Sequence, residues 1–104
     1  MWLFTVHGFF SIVKKGDLFH VRSREKHDLE NLRELVAGLP AVQDSFKHSD
    51  YPFRLLLDKG QKNAVITALG DSIDYPNFKS AVGVKPGQQD KLGKYHEIWA
   101  AMAD

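Results

Sequence analysis

The chain of 104 residues is 43% hydrophobic and 26% charged, which is the composition of one folded globular domain and not of a disordered segment. Its 14 basic and 13 acidic residues leave a net charge of +1, without the strong basic excess of most dedicated nucleic-acid or membrane-surface proteins. The absence of cysteine excludes disulfides, thiolate zinc sites and cysteine nucleophiles, and it fits a reducing compartment.

The N-terminal run Met1–His7 is apolar but short. It has neither the positive segment nor the long apolar core of a signal peptide. No apolar run in the chain approaches the roughly 20 residues needed to cross a bilayer. We therefore expect a cytoplasmic protein in which residues 1–104 form one domain.

Three short runs near the start of the chain predict β-strands, because they are rich in aromatic and β-branched residues or alternate between apolar and polar residues. They cover Trp2–Thr5, Phe9–Lys15 and Leu18–Arg24. The turn sequence Gly16-Asp17 joins the second run to the third, which predicts a β-hairpin.

A helix is predicted over Glu25–Ala37, since Leu29 and Leu32 begin a series of apolar residues spaced three or four positions apart. Gly38 is a typical helix stop, and Pro40 follows it. The rest of the chain predicts a polar-patterned strand over Ala41–His48, a strand over Phe53–Asp58, a helix over Gln61–Leu69, a helix over Pro76–Val82 and a last helix from about Asp90.

Two segments repeat the same order of strand and helix at a constant offset along the chain. Phe19 leading into Leu32 corresponds to Phe53 leading into Ile66. We predict two ββα-like units whose strands join in an antiparallel sheet of about four strands. Helices would pack on one face of this sheet and C-terminal helices would close the core, which makes an α+β fold.

A set of basic side chains is expected on the face of the sheet that the helices leave open. Arg22 and Arg24 project from the same side of one strand because side chains alternate along it, and the repeat places Arg54 on that side as well. Guanidinium groups on one surface bind phosphate or carboxylate through paired N–H donors. The alternative interpretation is the ordinary polar, solvent-facing side of an antiparallel sheet.

The densest group of polar side chains lies in Asp71–Lys79. Asp71 and Asp74 flank a helix end and suggest a shared divalent cation. Two carboxylates are too few for such a site, so other ligands would have to come from elsewhere, namely Asp58, His7 or His96. In the alternative interpretation, Asp74 caps a helix that begins at Pro76 and Asp71 lies in a turn.

Aromatic residues at the start of the chain allow one further interpretation. Phe4, Phe9 and Phe10 would stack on bases if they were exposed, although such residues more often belong to a core.

Several stretches taken together carry a family resemblance. They are Leu3-Phe4-Thr5 with His7-Gly8-Phe9, Val21-Arg22-Ser23-Arg24 with Asp28-Leu29, Ile73–Lys79, and Tyr95-His96 with Trp99. The chain resembles, nearly from end to end, a family of small uncharacterised bacterial proteins. The most specific match is the element Asp74, Tyr75, Asn77, Phe78 and Lys79. The resemblance implies a bacterial, cytosolic, single-domain protein and assigns no catalytic residue.

The leading functional hypothesis is a non-enzymatic binding module for an anionic, phosphate-bearing ligand or a nucleic acid. The residues assigned to binding are Arg22, Arg24, Arg54, Tyr75, Asn77 and Lys79. The first alternative is a metal-dependent hydrolase or nuclease that uses Asp71 and Asp74. The second is a homodimeric interaction domain that pairs through a strand edge or through the C-terminal helix.

Overall fold

A computed structural model describes residues 1–103 and confirms the α+β fold. Four strands form one antiparallel sheet in sequential order, and they are β1 (Trp2–Thr5), β2 (Gly8–Lys15), β3 (Leu18–Ser23) and β4 (Phe53–Leu57). The helices are α1 (Lys26–Leu35), α2 (Lys59–Asp71), α3 (Phe78–Val84) and α4 (Leu92–Met102), with a 3₁₀ turn at Gln89–Lys91 before α4.

One face of the sheet carries the main hydrophobic core. The register pairs Ile12 with Val21 and Val21 with Leu55, so their side chains lie side by side on this face. Leu29 and Leu32 of α1 pack onto them and are fully buried, as the spacing of apolar residues in this helix predicts. Helix α2 adds buried residues to the same cluster, so α1 and α2 cover one face together.

A second, smaller cluster forms at the end of the sheet where β1 turns into β2. Its buried members are Val6 in the turn, Val82 of α3 and Tyr95 of α4, and Phe4 and Phe9 pack against them. Phe4 and Phe9 are cross-strand partners, and by alternation they lie on the face of the sheet opposite the main core. Helices α3 and α4 therefore attach to the β1–β2 end of the sheet.

The segment between α1 and β4 differs from its prediction. Ala41–His48 is not a strand, and its one ladder contact is an isolated bridge between Gln43 and Arg54. The predicted second ββα unit therefore contributes one strand, and β1 completes the sheet. The physical reason is that the segment pairs with the edge of β4 at Gln43 only, and the side chain of Phe46 then lies against the Arg54 guanidinium, which is 4.1 Å from the ring centroid, instead of continuing the ladder.

Helix α3 begins later than predicted, and a different residue caps it. Asn77, not Asp74, is the N-cap residue, and its side-chain oxygen accepts a 2.9 Å hydrogen bond from the backbone N–H of Ser80. The predicted cap at Asp74 is therefore wrong, because an Asn placed three residues before Ser80 satisfies the free N–H of the first turn. Pro76 precedes the cap and lies outside the helix.

Gly8 is required at the start of β2. Its φ of +146° is unfavourable for other residues, and a Cβ at this position would overlap the carboxyl group of Asp28. This close approach brings the β1–β2 turn directly onto the first turn of α1.

Candidate functional site

A buried carboxylate joins the sheet to the C-terminal helices. Asp28 is 1% exposed, and its Oδ1 accepts hydrogen bonds from Gln88 Nε2 at 2.9 Å and Lys91 Nζ at 3.2 Å. Its Oδ2 accepts a 3.3 Å bond from the backbone N–H of Phe9. Lys91 also donates to Glu25 Oε2 at 3.1 Å. The 3₁₀ turn that leads into α4 is thus held against α1 and β2 by ionic and polar contacts.

The same cluster contains the only group of three metal-ligating side chains within residues 1–103. These are Glu25, His27 and Asp28, with His27 Nε2 lying 3.1 Å from Glu25 and 3.2 Å from Asp28. The ammonium group of Lys91 already contacts both carboxylates. One ammonium group thus compensates part of the charge of the two carboxylates and joins them, and the cluster acts as a structural tie.

A cleft of about 580 Å³, called here the hairpin cleft, opens between the β1–β2 hairpin and α4. Its lining includes Trp2, Phe4, Phe9 and Tyr95 as aromatic walls and Arg24 and Lys94 as cations. The salt-linked pair of Glu25 and Lys91 also lines it. The cleft therefore combines apolar ring surfaces with a net positive charge.

The aromatic rings of the hairpin cleft pack against one another. Phe4 and Phe9 are stacked with centroids 4.8 Å apart, and Trp2 meets both edge-on at 6.5 and 6.2 Å. Trp2 remains 66% exposed. Such a rigid group of rings with one accessible indole can receive another flat ring.

Tyr95 forms the wall of this cleft that belongs to α4. Its hydroxyl donates to the backbone carbonyl of Thr5 at 3.3 Å, and its ring packs edge-on against Phe4. Burial, aided by the charge of Asp28, raises the pKa of Tyr95 far above the usual range of a phenol. The hydroxyl therefore stays protonated and serves as a fixed donor.

A second cleft of about 340 Å³, called here the helix cleft, lies between α3 and α4 on the other side of Tyr95. Phe4, Tyr95 and Ile98 line both clefts, so the two are neighbours. Lys79 Nζ in the helix cleft lies 3.2 Å from His96 Nδ1 and 4.9 Å from the ring centroid of Trp99. Trp99 is itself 61% exposed.

A third cleft of about 740 Å³, called here the turn cleft, lies beyond the β1–β2 turn. His7, Asp74, Tyr75 and Lys85 are among the residues that line it. Burial and the nearby charge of Lys85 lower the pKa of His7, while Asp74 acts in the opposite direction. The Nε2 atom of His7 is buried without a hydrogen-bond partner.

The predicted arginine set is divided by the fold. Arg22 and Arg54 are cross-strand neighbours on the predicted face, but the segment between α1 and β4 covers them. Arg54 is 4% exposed and donates to His20 Nδ1 at 3.1 Å and to Ser49 Oγ at 3.0 Å. Arg22 donates to Ser11 Oγ at 2.7 Å and lies over the ring of Tyr51. Both guanidinium groups thus have structural partners inside the chain.

The other predicted site residues fall in different places. Arg24 borders the hairpin cleft, Asn77 and Lys79 border the helix cleft, and Asp74 lines the turn cleft. Tyr75 also lines the turn cleft. Asp71 ends α2, and within residues 1–103 neither Asp71 nor Asp74 belongs to a group of three metal-ligating side chains.

The sequence interpretation missed the part of the site that α4 contributes. Lys91, Lys94, Tyr95 and Ile98 recur at three- and four-residue intervals and line one side of this helix and its entry turn. A basic and aromatic stripe of this kind was a signal in the sequence. No signal in the sequence indicated the face of the sheet against which this stripe packs, because the position of α4 depends on the buried contact between Lys91 and Asp28.

Comparison of the chain with protein-family models, with curated proteins and with solved structures finds no match. Within residues 1–103, none of the helices has both the length and the apolar character that crossing a membrane requires. The proposed function therefore depends on the side chains of the clefts.

Proposed function

We propose that this protein is a non-enzymatic binding module for a phosphate-bearing ligand with a flat ring, such as a nucleotide, and that it binds this ligand in the hairpin cleft. The observation that carries the proposal is the exposed indole of Trp2, packed against Phe4 and Phe9 beside the side chains of Arg24 and Lys94. As part of the same proposal, the protein works in the bacterial cytoplasm.

The aromatic part of the cleft supports a ligand with a ring. Stacking of a base on an aromatic side chain contributes on the order of 1–3 kcal/mol and tolerates any base, because every base has a π-face. Trp2 offers most of its surface to solvent while its edge contacts with Phe4 and Phe9 hold the indole in place. The ring is thus ordered before a ligand arrives, which reduces the entropic cost of binding.

The charged part of the cleft supports an anionic group next to that ring. Arg24 and Lys94 have no ion-pair partner within residues 1–103, whereas Lys91 is neutralised by Glu25 and Asp28. Free cations at the rim of an apolar cleft favour a phosphate, to which Arg donates in a bidentate manner. The local charge is positive although the whole chain carries only +1.

Isothermal titration with adenosine monophosphate tests this proposal. We expect saturable binding that weakens roughly tenfold or more in the double variant Arg24→Ala, Lys94→Ala, because charge-assisted hydrogen bonds to the phosphate are lost. The matched control is Lys14→Ala, Lys59→Ala, which removes the same charge at exposed positions outside the clefts. Equal affinities of the two double variants, or no binding by the unaltered protein, would reject the proposal.

A further inference from the structure

We infer that the hairpin cleft and the helix cleft together bind two consecutive nucleotides of a single-stranded nucleic acid. This inference rests on the proposed function, since it takes the hairpin cleft as the site of the first nucleotide. It adds a second subsite and thereby names the class of ligand as a strand.

The two clefts repeat the same pair of features on either side of one wall. Phe4, Tyr95 and Ile98 form the shared wall. On one side lies Trp2, 66% exposed, and on the other lies Trp99, 61% exposed. Each cleft has a cation, Arg24 or Lys94 in the hairpin cleft and Lys79 in the helix cleft, where its Nζ lies over the Trp99 ring. The His96 ring is stacked on Trp99, with centroids 5.4 Å apart, so the exposed part of the indole remains for a base.

This repetition matches how proteins bind single strands without regard to sequence. Successive bases stack on successive aromatic side chains while basic residues follow the phosphate backbone. A mononucleotide would use one indole and one cation only, and the second pair would then have no role. The bases of a duplex are stacked on each other and are not available to an indole, which favours a single strand.

The distribution of charge agrees with an oligoanion. None of the residues that line the helix cleft is acidic. The one carboxylate that lines the hairpin cleft, Glu25, accepts the 3.1 Å hydrogen bond from Lys91. Arg24, Lys94 and Lys79 therefore face the two clefts without a competing carboxylate, although Lys79 also contacts His96 and the Trp99 ring.

The shape of the surface suits a flat ligand. The ring of Phe4 is half-buried and that of Tyr95 is buried, and both belong to the wall that the two clefts share. A flat base enters a recess beside such a wall, and an anionic membrane, which the exposed apolar side chains Trp99 and Met102 of α4 would contact, is the competing occupant that the experiment separates.

Titration calorimetry with ligands of increasing length tests the inference, and the ligands are thymidine monophosphate, the dinucleotide pTpT and a six-residue oligothymidylate. We expect Trp99→Ala to weaken binding of pTpT and of the hexamer by roughly tenfold through loss of one stacked base, and to leave thymidine monophosphate unaffected. Trp2→Ala should weaken binding of all three. The matched control is Met102→Ala, which truncates an exposed apolar residue of the same helix that lines neither cleft.

The possible results separate the proposed nucleotide site in the hairpin cleft from the inferred second subsite in the helix cleft. Tight binding of the monophosphate with no gain for pTpT, or pTpT binding that Trp99→Ala leaves unchanged, overturns the second subsite while the proposed function stands. If none of the three ligands binds, both the proposed function and the second subsite are rejected. Equal affinity for a duplex, or binding only to vesicles of phosphatidylglycerol, also overturns the inference. Oligouridylate binds as well as oligothymidylate if stacking dominates, and such binding supports the inference.

Discussion

Asp28 shows how one buried side chain positions a surface cleft. Its carboxylate is 1% exposed and accepts bonds from Gln88, Lys91 and the backbone of Phe9. Removing one partner of a buried ion pair typically costs about 3–5 kcal/mol, because the other charge is left without compensation. The contact with Lys91 sets where α4 begins, and so it sets how Tyr95 faces Phe4.

His20 makes the stability of the fold sensitive to pH. Its Nδ1 accepts a hydrogen bond from Arg54 at 3.1 Å, since a guanidinium has donors only, and this contact requires a neutral ring. Burial and the charge of Arg54 lower the pKa of His20 below the usual value. On acidification the unfolded chain therefore takes up a proton first, and the contribution of His20 is complete above about pH 6.5 and is lost as pH falls through the folded-state pKa.

We predict that the free energy of unfolding decreases between pH 7 and pH 5, and that His20→Gln reduces this decrease because glutamine accepts from Arg54 without titrating. Urea denaturation at several pH values measures the effect. The control is His48→Gln, an exposed histidine in the segment between α1 and β4, which should keep the pH dependence of the unaltered protein. If His20→Gln left the pH dependence of the free energy of unfolding unchanged, the role of this ring would be contradicted.

At the level of secondary-structure elements, the sequence pattern predicted the bounds of the strands well. β1, β2, β3 and β4 lie within a residue of their predicted bounds because alternation and turn residues define them. The predicted strand over Ala41–His48 was wrong because the path of this segment depends on the stacking of Phe46 on Arg54, a side-chain contact that hydrophobic periodicity does not encode. The same contact helps to bury Arg54 and removes it from the candidate site, and nothing in the spacing of residues signals this.

The cap of α3 provides a direct test at this scale. We predict that Asn77→Ala destabilises the protein by about 0.5–2 kcal/mol, because the N–H of Ser80 loses its partner. Asp74→Ala should change stability by less than about 0.5 kcal/mol, since Asp74 is exposed and caps nothing. Chemical denaturation of both variants measures the difference. A larger loss for Asp74→Ala would restore the cap that the sequence suggested.

For the molecule as a whole, the candidate site lies against the smaller of two hydrophobic clusters. The main cluster joins the sheet to α1 and α2, and the smaller one joins the β1–β2 turn to α3 and α4. Sequence patterns predicted both sets of elements and placed Arg24 and Lys79 among the binding residues. They could not predict that α4 docks beside Phe4, because that position is set by Asp28 and Lys91, which are far apart in the chain.

The two clusters predict two levels of stability within one chain. Amides of α3 and α4 should exchange with solvent faster than those of β2 and β3, because fewer buried apolar residues hold these helices. Lys91→Met should accelerate exchange in α3 and α4 by roughly 10²- to 10⁴-fold, which corresponds to the cost of about 3–5 kcal/mol of leaving Asp28 without its ammonium partner, and should leave exchange in β2 and β3 nearly unchanged. Hydrogen exchange followed by mass spectrometry resolves the two regions.

Arg33→Met is the control, because its ion pair with Glu30 is solvent-exposed and contributes little. If Lys91→Met accelerated exchange equally in strands and helices, the chain would unfold as one cooperative unit, and Lys91 would stabilise the whole fold instead of the position of α4.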